Sequence, residues 1–206
     1  LTTAIALAIC SLSTFAQHNH SDLSPCGTDM PGMEMDHRWL QEYRQNPQNF
    51  PIPENDLIIA ELQVHNVGQD DGTGFFSWRQ MLDALCQLQE AFEPTDIQFY
   101  MTNDINFISN TEWNNHDNFS TGGQLMWQNK VSGMLNTFIS TEAAGACGYY
   151  SPGVDATVVA KSCAGPTDDT WAHEIGHYLS LPHTFSGWEG VDYDPAVPTS
   201  DYLNDV

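Results

Sequence analysis

Apolar residues along this chain follow two periods. Leu57-Ile-Ile-Ala-Glu-Leu-Gln-Val-His65 is a nearly continuous apolar, β-branched run and predicts a first strand. Ile97-Gln-Phe-Tyr-Met101 alternates and predicts a second. Leu135–Ser140, Gly148–Tyr150 and Ala156–Ala160 predict three more, the last two joined by a Ser-Pro-Gly turn. Between the first two strands the period becomes helical: Trp78, Met81, Leu82, Leu85, Leu88 and Phe92 recur on one side of a helix. Ser77 and Gln80 form a capping box at its start, with Phe76 and Met81 spaced as a hydrophobic staple. Read as core residues, these make a long helix that backs the sheet. Residues 102–130 are Asn-rich and aperiodic; no element is assigned there, and His116 is read as a surface residue.

A second helix is predicted after Thr167-Asp168-Asp169, a cap with acids for the helix N-terminus. Pro182 turns Leu181 away from helical geometry, so the helix ends before it. Within it runs His173-Glu174-Ile175-Gly176-His177. Positions i and i+4 share a helix face, so two imidazoles can aim at one point, with Glu174 beside them. His183 returns six residues after His177. Three neutral imidazoles around a zinc ion leave a fourth tetrahedral position for water, the arrangement of a catalytic site. His173, His177 and His183 are therefore the candidate ligands and Glu174 the candidate general base.

The segment His173 to Phe185, H-E-I-G-H-Y-L-S-L-P-H-T-F, resembles the active-site segment of the pappalysin family of metzincin zinc proteases, the ulilysin-like branch; Gly187-Trp188-Glu189-Gly190 resembles its continuation. The resemblance implies an α+β, metzincin-like zincin: a twisted mixed sheet backed by a long helix, a separate active-site helix, and a C-terminal subdomain that is incomplete here. It implies a secreted endopeptidase acting on polypeptides, with Cys147–Tyr150 as the sheet edge over the cleft. Such an edge can pair with an extended peptide by strand addition. Where the family carries Gly after the helix, this chain has Ser180. A non-Gly residue with positive φ there costs about 1 kcal/mol. None of the seven methionines follows the motif, so the methionine-bearing turn of metzincins is not found. The alternatives are a non-catalytic binding module of the same shape, or a zinc protease of another metzincin branch.

Charge narrows the partners. Five Lys and Arg stand against 27 Asp and Glu among 206 residues, a formal −22. Nucleic acid and anionic membrane surfaces both need a basic footprint and are excluded. Dispersed acids and related proteases also make calcium a second candidate ion. Residues 1–16 carry no charge and read as the back of a signal peptide, with a small-x-small site at Thr14-Phe15-Ala16. No segment approaches membrane-spanning length. Residues 17–56 then form a pro-segment or extension, and 57–206 the N-terminal part of a catalytic domain, a fragment cut at both ends.

Four cysteines lie beyond the leader: Cys26, Cys86, Cys147 and Cys163. Cys147 and Cys163 flank a hairpin and are the preferred disulfide. In Pro25-Cys26-Gly27-Thr28-Asp29, a thiolate at Cys26 could take the open zinc position and silence the site until the pro-segment is removed; Asp29 is a weaker substitute. A Cys26–Cys86 disulfide is the competing use of that thiol, and Cys86 alone reads as a buried thiol.

Overall fold

A computed structural model describes residues 26–28, 42–43, 45–50, 57–181 and 183. Residues 1–16, most of 17–56, Pro182 and the segment from 184 onward, with Asp29 and Gly187–Gly190, lie outside the described residues.

The first strand, β1 (Ile58–Gly68), is the spine of a six-stranded sheet. Along one edge it pairs in parallel with β2 (Ile97–Tyr100) and then β3 (Asn106–Ser109). Along the other lies β5 (Leu135–Ser140), also parallel, followed by β8 (Ala156–Ala160). The last strand, β7 (Gly148–Ser151), is antiparallel to β8. A parallel pair of two-residue strands, β4 (Asn115–His116) and β6 (Glu142–Ala143), stands apart.

The sheet is covered on both faces, which explains why β5 and β8 are buried at every position. Leu62, Val64, Leu135, Ile139 and Val159 face α1 (Trp78–Phe92) and α4 (Thr170–Tyr178). Val67, Phe138, Val158 and Ala160 face the opposite way, against Leu125 and Met126 of α3 (Phe119–Asn129). The split follows the strand period of two. Between β3 and β4 sits the single turn α2 (Thr111–Asn114). Among the described residues no helix is long and apolar enough to cross a membrane.

The long helix forms where its period predicts, with the Ser77–Gln80 capping box closed. Its core stripe is narrower than expected: Met81, Ala84, Leu88 and Phe92 are buried, but Trp78 and Leu82 are 62% and 56% exposed. The region 102–130, unassigned from sequence, holds β3, α2, β4 and α3. Its elements are capped by Asn110 and Asn118, whose side chains accept from Trp113 N and Thr121 N, so the asparagines that hid the pattern are its punctuation.

His116 is corrected from surface to core. It is buried, donates from Nδ1 to Trp113 O at 2.7 Å, and accepts from the Tyr149 hydroxyl at 3.0 Å. Gly122 of α3 makes room for that hydroxyl: a Cβ there would lie 1.8 Å from it. Lys161, in the turn after β8, ties Val67 O, Gly74 O and Asn114 Oδ1 together.

Buried His65 stacks on Phe138 with ring centroids 4.0 Å apart. Its Nε2–H donates to Asn136 Oδ1 at 3.1 Å, and Nδ1 accepts from Asn106 Nδ2 at 3.0 Å. That pattern fits only the neutral ring, and burial lowers its pKa from 6.5 to about 4. The unfolded chain therefore binds the extra proton first. Stability contributed by neutral His65 is intact above pH 6.5 and falls as pH drops from 6.5 to about 4, by about 3 kcal/mol in all. In urea melts, the stability difference between wild type and His65→Gln should shrink across that window; a pH-independent difference would refute the assignment.

Candidate metal centre

Helix α4 is fixed by the face it buries. Trp171 and Ile175, one turn apart, lie in the core at 2% and 0% exposure, and Trp171 Nε1 donates to Thr137 Oγ1 of β5 at 2.9 Å. His173 and His177 share the other side of the helix. The start of α4 differs from the expected cap. Asp169 occupies the N-cap but makes no side-chain cap bond; Oδ1 accepts instead from Gln87 Nε2 of α1 at 2.8 Å. Asp168 Oδ2 accepts from Gly165 N. These bonds tie Asp168 to the preceding loop and Asp169 to the neighbouring helix.

The helix stops at Tyr178, and Ser180 takes a left-handed conformation with φ +69°. This turn lets Ser180 N donate to His177 O and Leu181 N donate to Gly176 O. Leu181 O then receives the His177 Nδ1–H at 2.8 Å. That bond fixes the tautomer and leaves Nε2 with its lone pair outward.

The three imidazoles converge. Nε2 of His173 lies 3.0 Å from Nε2 of His177 and 3.0 Å from that of His183; His177 and His183 are 3.1 Å apart. Cys26 Sγ is 3.5 Å from His177 Nε2, and all four donor atoms lie within 4.8 Å of one another. Each Nε2 carries at most one hydrogen, in its ring plane, so mutual hydrogen bonds cannot satisfy the triangle. A shared cation can. Zinc at 2.0–2.1 Å from nitrogen and 2.3 Å from sulfur sets N···N edges of about 3.3 Å and N···S edges of about 3.5 Å. The residues present fit such an ion. Among the described residues this is the group of three or more His, Cys, Asp or Glu placed to hold a metal. No acidic cluster suited to calcium is formed by them.

Glu174 is fully buried, beneath β7. A Cβ on Gly148 would come within 2.8 Å of Glu174 Cγ, so the strand can cross the glutamate only as glycine. Glu174 Oε2 accepts from Thr28 Oγ1 at 3.1 Å. The protein's own groups, by burial and then by the Glu174 charge, push the Cys26 thiol up to about 12; a zinc ion at the three rings would reverse that shift and favour the thiolate. Neither Cys26 nor half-buried Cys86 is in a disulfide, against the competing Cys26–Cys86 pairing. Cys147 and Cys163 are joined, S–S 2.03 Å, which ties the start of β7 to the turn after β8. Sequence reading missed Gly148 and Thr28. The first gives no signal until a neighbour is known. The second lies in the Cys26-Gly27-Thr28-Asp29 run but carries no metal-binding chemistry.

No protein-family model matches the chain. Two extracellular metalloproteases of Colletotrichum graminicola are similar to it. One is 22% identical over 210 residues, covering 91% of this chain and 74% of the relative. The other is 24% identical over 189 residues, covering 80% and 66%. This chain thus spans about two thirds to three quarters of their lengths. Among solved structures it is similar to a mutant of promirolysin from Tannerella forsythia, with TM-score 0.53, 18% identity, and coverage of 78% of this chain and 70% of that one. That likeness is one of fold: a twisted mixed sheet with helices.

The Ser180 turn carries a strain that glycine would relieve. Ser180→Gly should stabilise the protein by about 0.5 kcal/mol, because the relief of about 1 kcal/mol is partly offset by glycine's greater unfolded-state entropy. Urea unfolding midpoints check this; an unchanged or lower midpoint counts against a strained turn.

Proposed function

We propose that the chain carries the metal centre of a secreted zinc endopeptidase, of the pappalysin-like branch of the metzincins, acting on extended polypeptides. The observation that carries this reading is the triangle of Nε2 atoms, 3.0–3.1 Å on a side, with Glu174 in the same helix. The extracellular metalloprotease relatives support it at low identity.

His173, His177 and His183 would hold the ion. When bound, zinc supplies an acidified water and polarises a scissile carbonyl. Glu174 takes a proton from the attacking water and delivers it to the leaving amine. Its burial under Gly148 shields that transfer from bulk solvent. The His177 Nδ1–H bond to Leu181 O orients one ligand ring. The edge of β7 offers main-chain groups for an extended substrate, as in strand addition. In this reading Cys26 is a zinc-blocking switch: its sulfur, within 4.8 Å of all three ring nitrogens, takes the position that water would need.

Purified full-length protein should contain close to one zinc per chain by elemental analysis, and each of His173→Ala, His177→Ala and His183→Ala should lose it. Glu174→Ala should keep the zinc and lose at least about a thousandfold of casein cleavage. Cleavage that survives Glu174→Ala or chelation would end the endopeptidase reading. For the switch, Cys26→Ser in the intact protein should raise cleavage at least about tenfold without removal of residues 17–56, since a neutral hydroxyl is a far poorer zinc ligand than thiolate. No gain of activity would discard the switch.

A further inference from the structure

Residues 26–28 do more than present a thiol. Gly27 N donates to Gly148 O at 2.9 Å, so the segment is paired to the edge of β7. It runs through a narrow slot, in which a Cβ on Gly27 would sit 3.2 Å from the Phe119 ring and 3.3 Å from Ala146 Cβ. Thr28 follows and is fully buried. Its hydroxyl uses both its capacities. It donates to Glu174 Oε2 at 3.1 Å and accepts from Tyr150 N at 2.9 Å. Its own N–H donates to Cys26 Sγ at 3.3 Å. One residue therefore touches the catalytic carboxylate, the edge-strand amide and the thiol.

We propose that Thr28 is a second lock on this site: its hydroxyl bridges Glu174 to the Tyr150 amide and its backbone positions the Cys26 sulfur. The proposal rests on the latency reading above and extends it. Blocking then has two parts, a sulfur at the metal and a hydroxyl at the general base, held two residues apart. Seated in this way, Thr28 claims one carboxylate oxygen of Glu174 and an edge amide that an extended substrate would otherwise engage. The chemistry required at position 28 is a small side chain with both a donor and an acceptor. Serine meets it; valine, of the same shape as threonine, does not.

The test uses the intact, zinc-loaded full-length protein and reads alkylation of Cys26 by iodoacetamide, peptide by peptide, with Cys86 of α1 as the reference thiol in the same chain. Loss of a hydrogen bond to a charged group should free the segment, so Thr28→Val should speed Cys26 alkylation about tenfold relative to Cys86. Thr28→Ser should stay within about twofold of wild type, which separates the lost hydroxyl from a general disturbance of the segment. In a Glu174→Ala background, where the bridge has already lost its carboxylate, most of the effect of Thr28→Val should vanish. A Thr28→Val protein labelled at the wild-type rate overturns the lock, and so does an undiminished tenfold effect in the Glu174→Ala background. If Cys26→Ser activates the enzyme while Thr28→Val changes nothing, Thr28 is refuted and the switch stands. If Cys26→Ser yields no activity, the switch falls and the lock falls with it.

Discussion

Three ring nitrogens held 3.0–3.1 Å apart are the constraint on which this structure turns. Left to themselves, three imidazoles repel or hydrogen-bond elsewhere; they share one point only if the scaffold compels them or a cation rewards them. The scaffold's share is visible. Trp171 and Ile175 nail one side of α4 into the core, which sets where His173 and His177 point. The left-handed turn at Ser180 then reverses the chain within two residues, so that Leu181 can orient His177 and His183 can close the triangle. The strain at Ser180 is the cost of bringing a third imidazole to the same point from outside the helix.

The convergence of the histidines was legible because helix periodicity is local. Two histidines four apart must share a face whatever surrounds them, and a third after a short turn has few places to go. The strands were legible for a similar reason: β5, β8 and β1 from Leu62 onward are buried on both faces, so their apolar runs stand out against any background. What failed was whatever depended on a partner distant in sequence. Short β3 and β4 exist because β1 and β6 are there to pair with them. His116 reads as polar until the Tyr149 hydroxyl, 33 residues on, gives it a partner. Trp78 and Leu82 fit the helical period but lie beyond the width of the stripe that α1 buries. Periodicity shows which residues share a face; it does not show how much of that face is covered. Thr28 was invisible for the most general reason: its role lies wholly in bonds to Glu174 and Tyr150, more than 120 residues away.

The edge strand β7 links these parts. Its inner side is anchored to β8, and the Cys147–Cys163 disulfide fastens its first end. Gly148 lets it pass directly over Glu174, so the strand's main-chain groups and that carboxylate are neighbours by construction. The outer side of such a strand is a liability unless something covers it. Here Gly27 and Thr28 do so from the chain itself.

On the proposed reading, that covering segment and a substrate compete for one groove, and the contest is decided by tethering. A segment held in the same chain meets the edge at an effective concentration of order millimolar, without the full cost of association that a free peptide bears. A few modest bonds at Gly27, Thr28 and Cys26 can therefore exclude a substrate with many more. Cutting the tether abolishes that advantage at once, while each bond keeps its intrinsic strength. Weak individual contacts are then a requirement of reversible release. A segment bound tightly enough to win without its tether would remain in the groove after cleavage and leave the metal centre blocked.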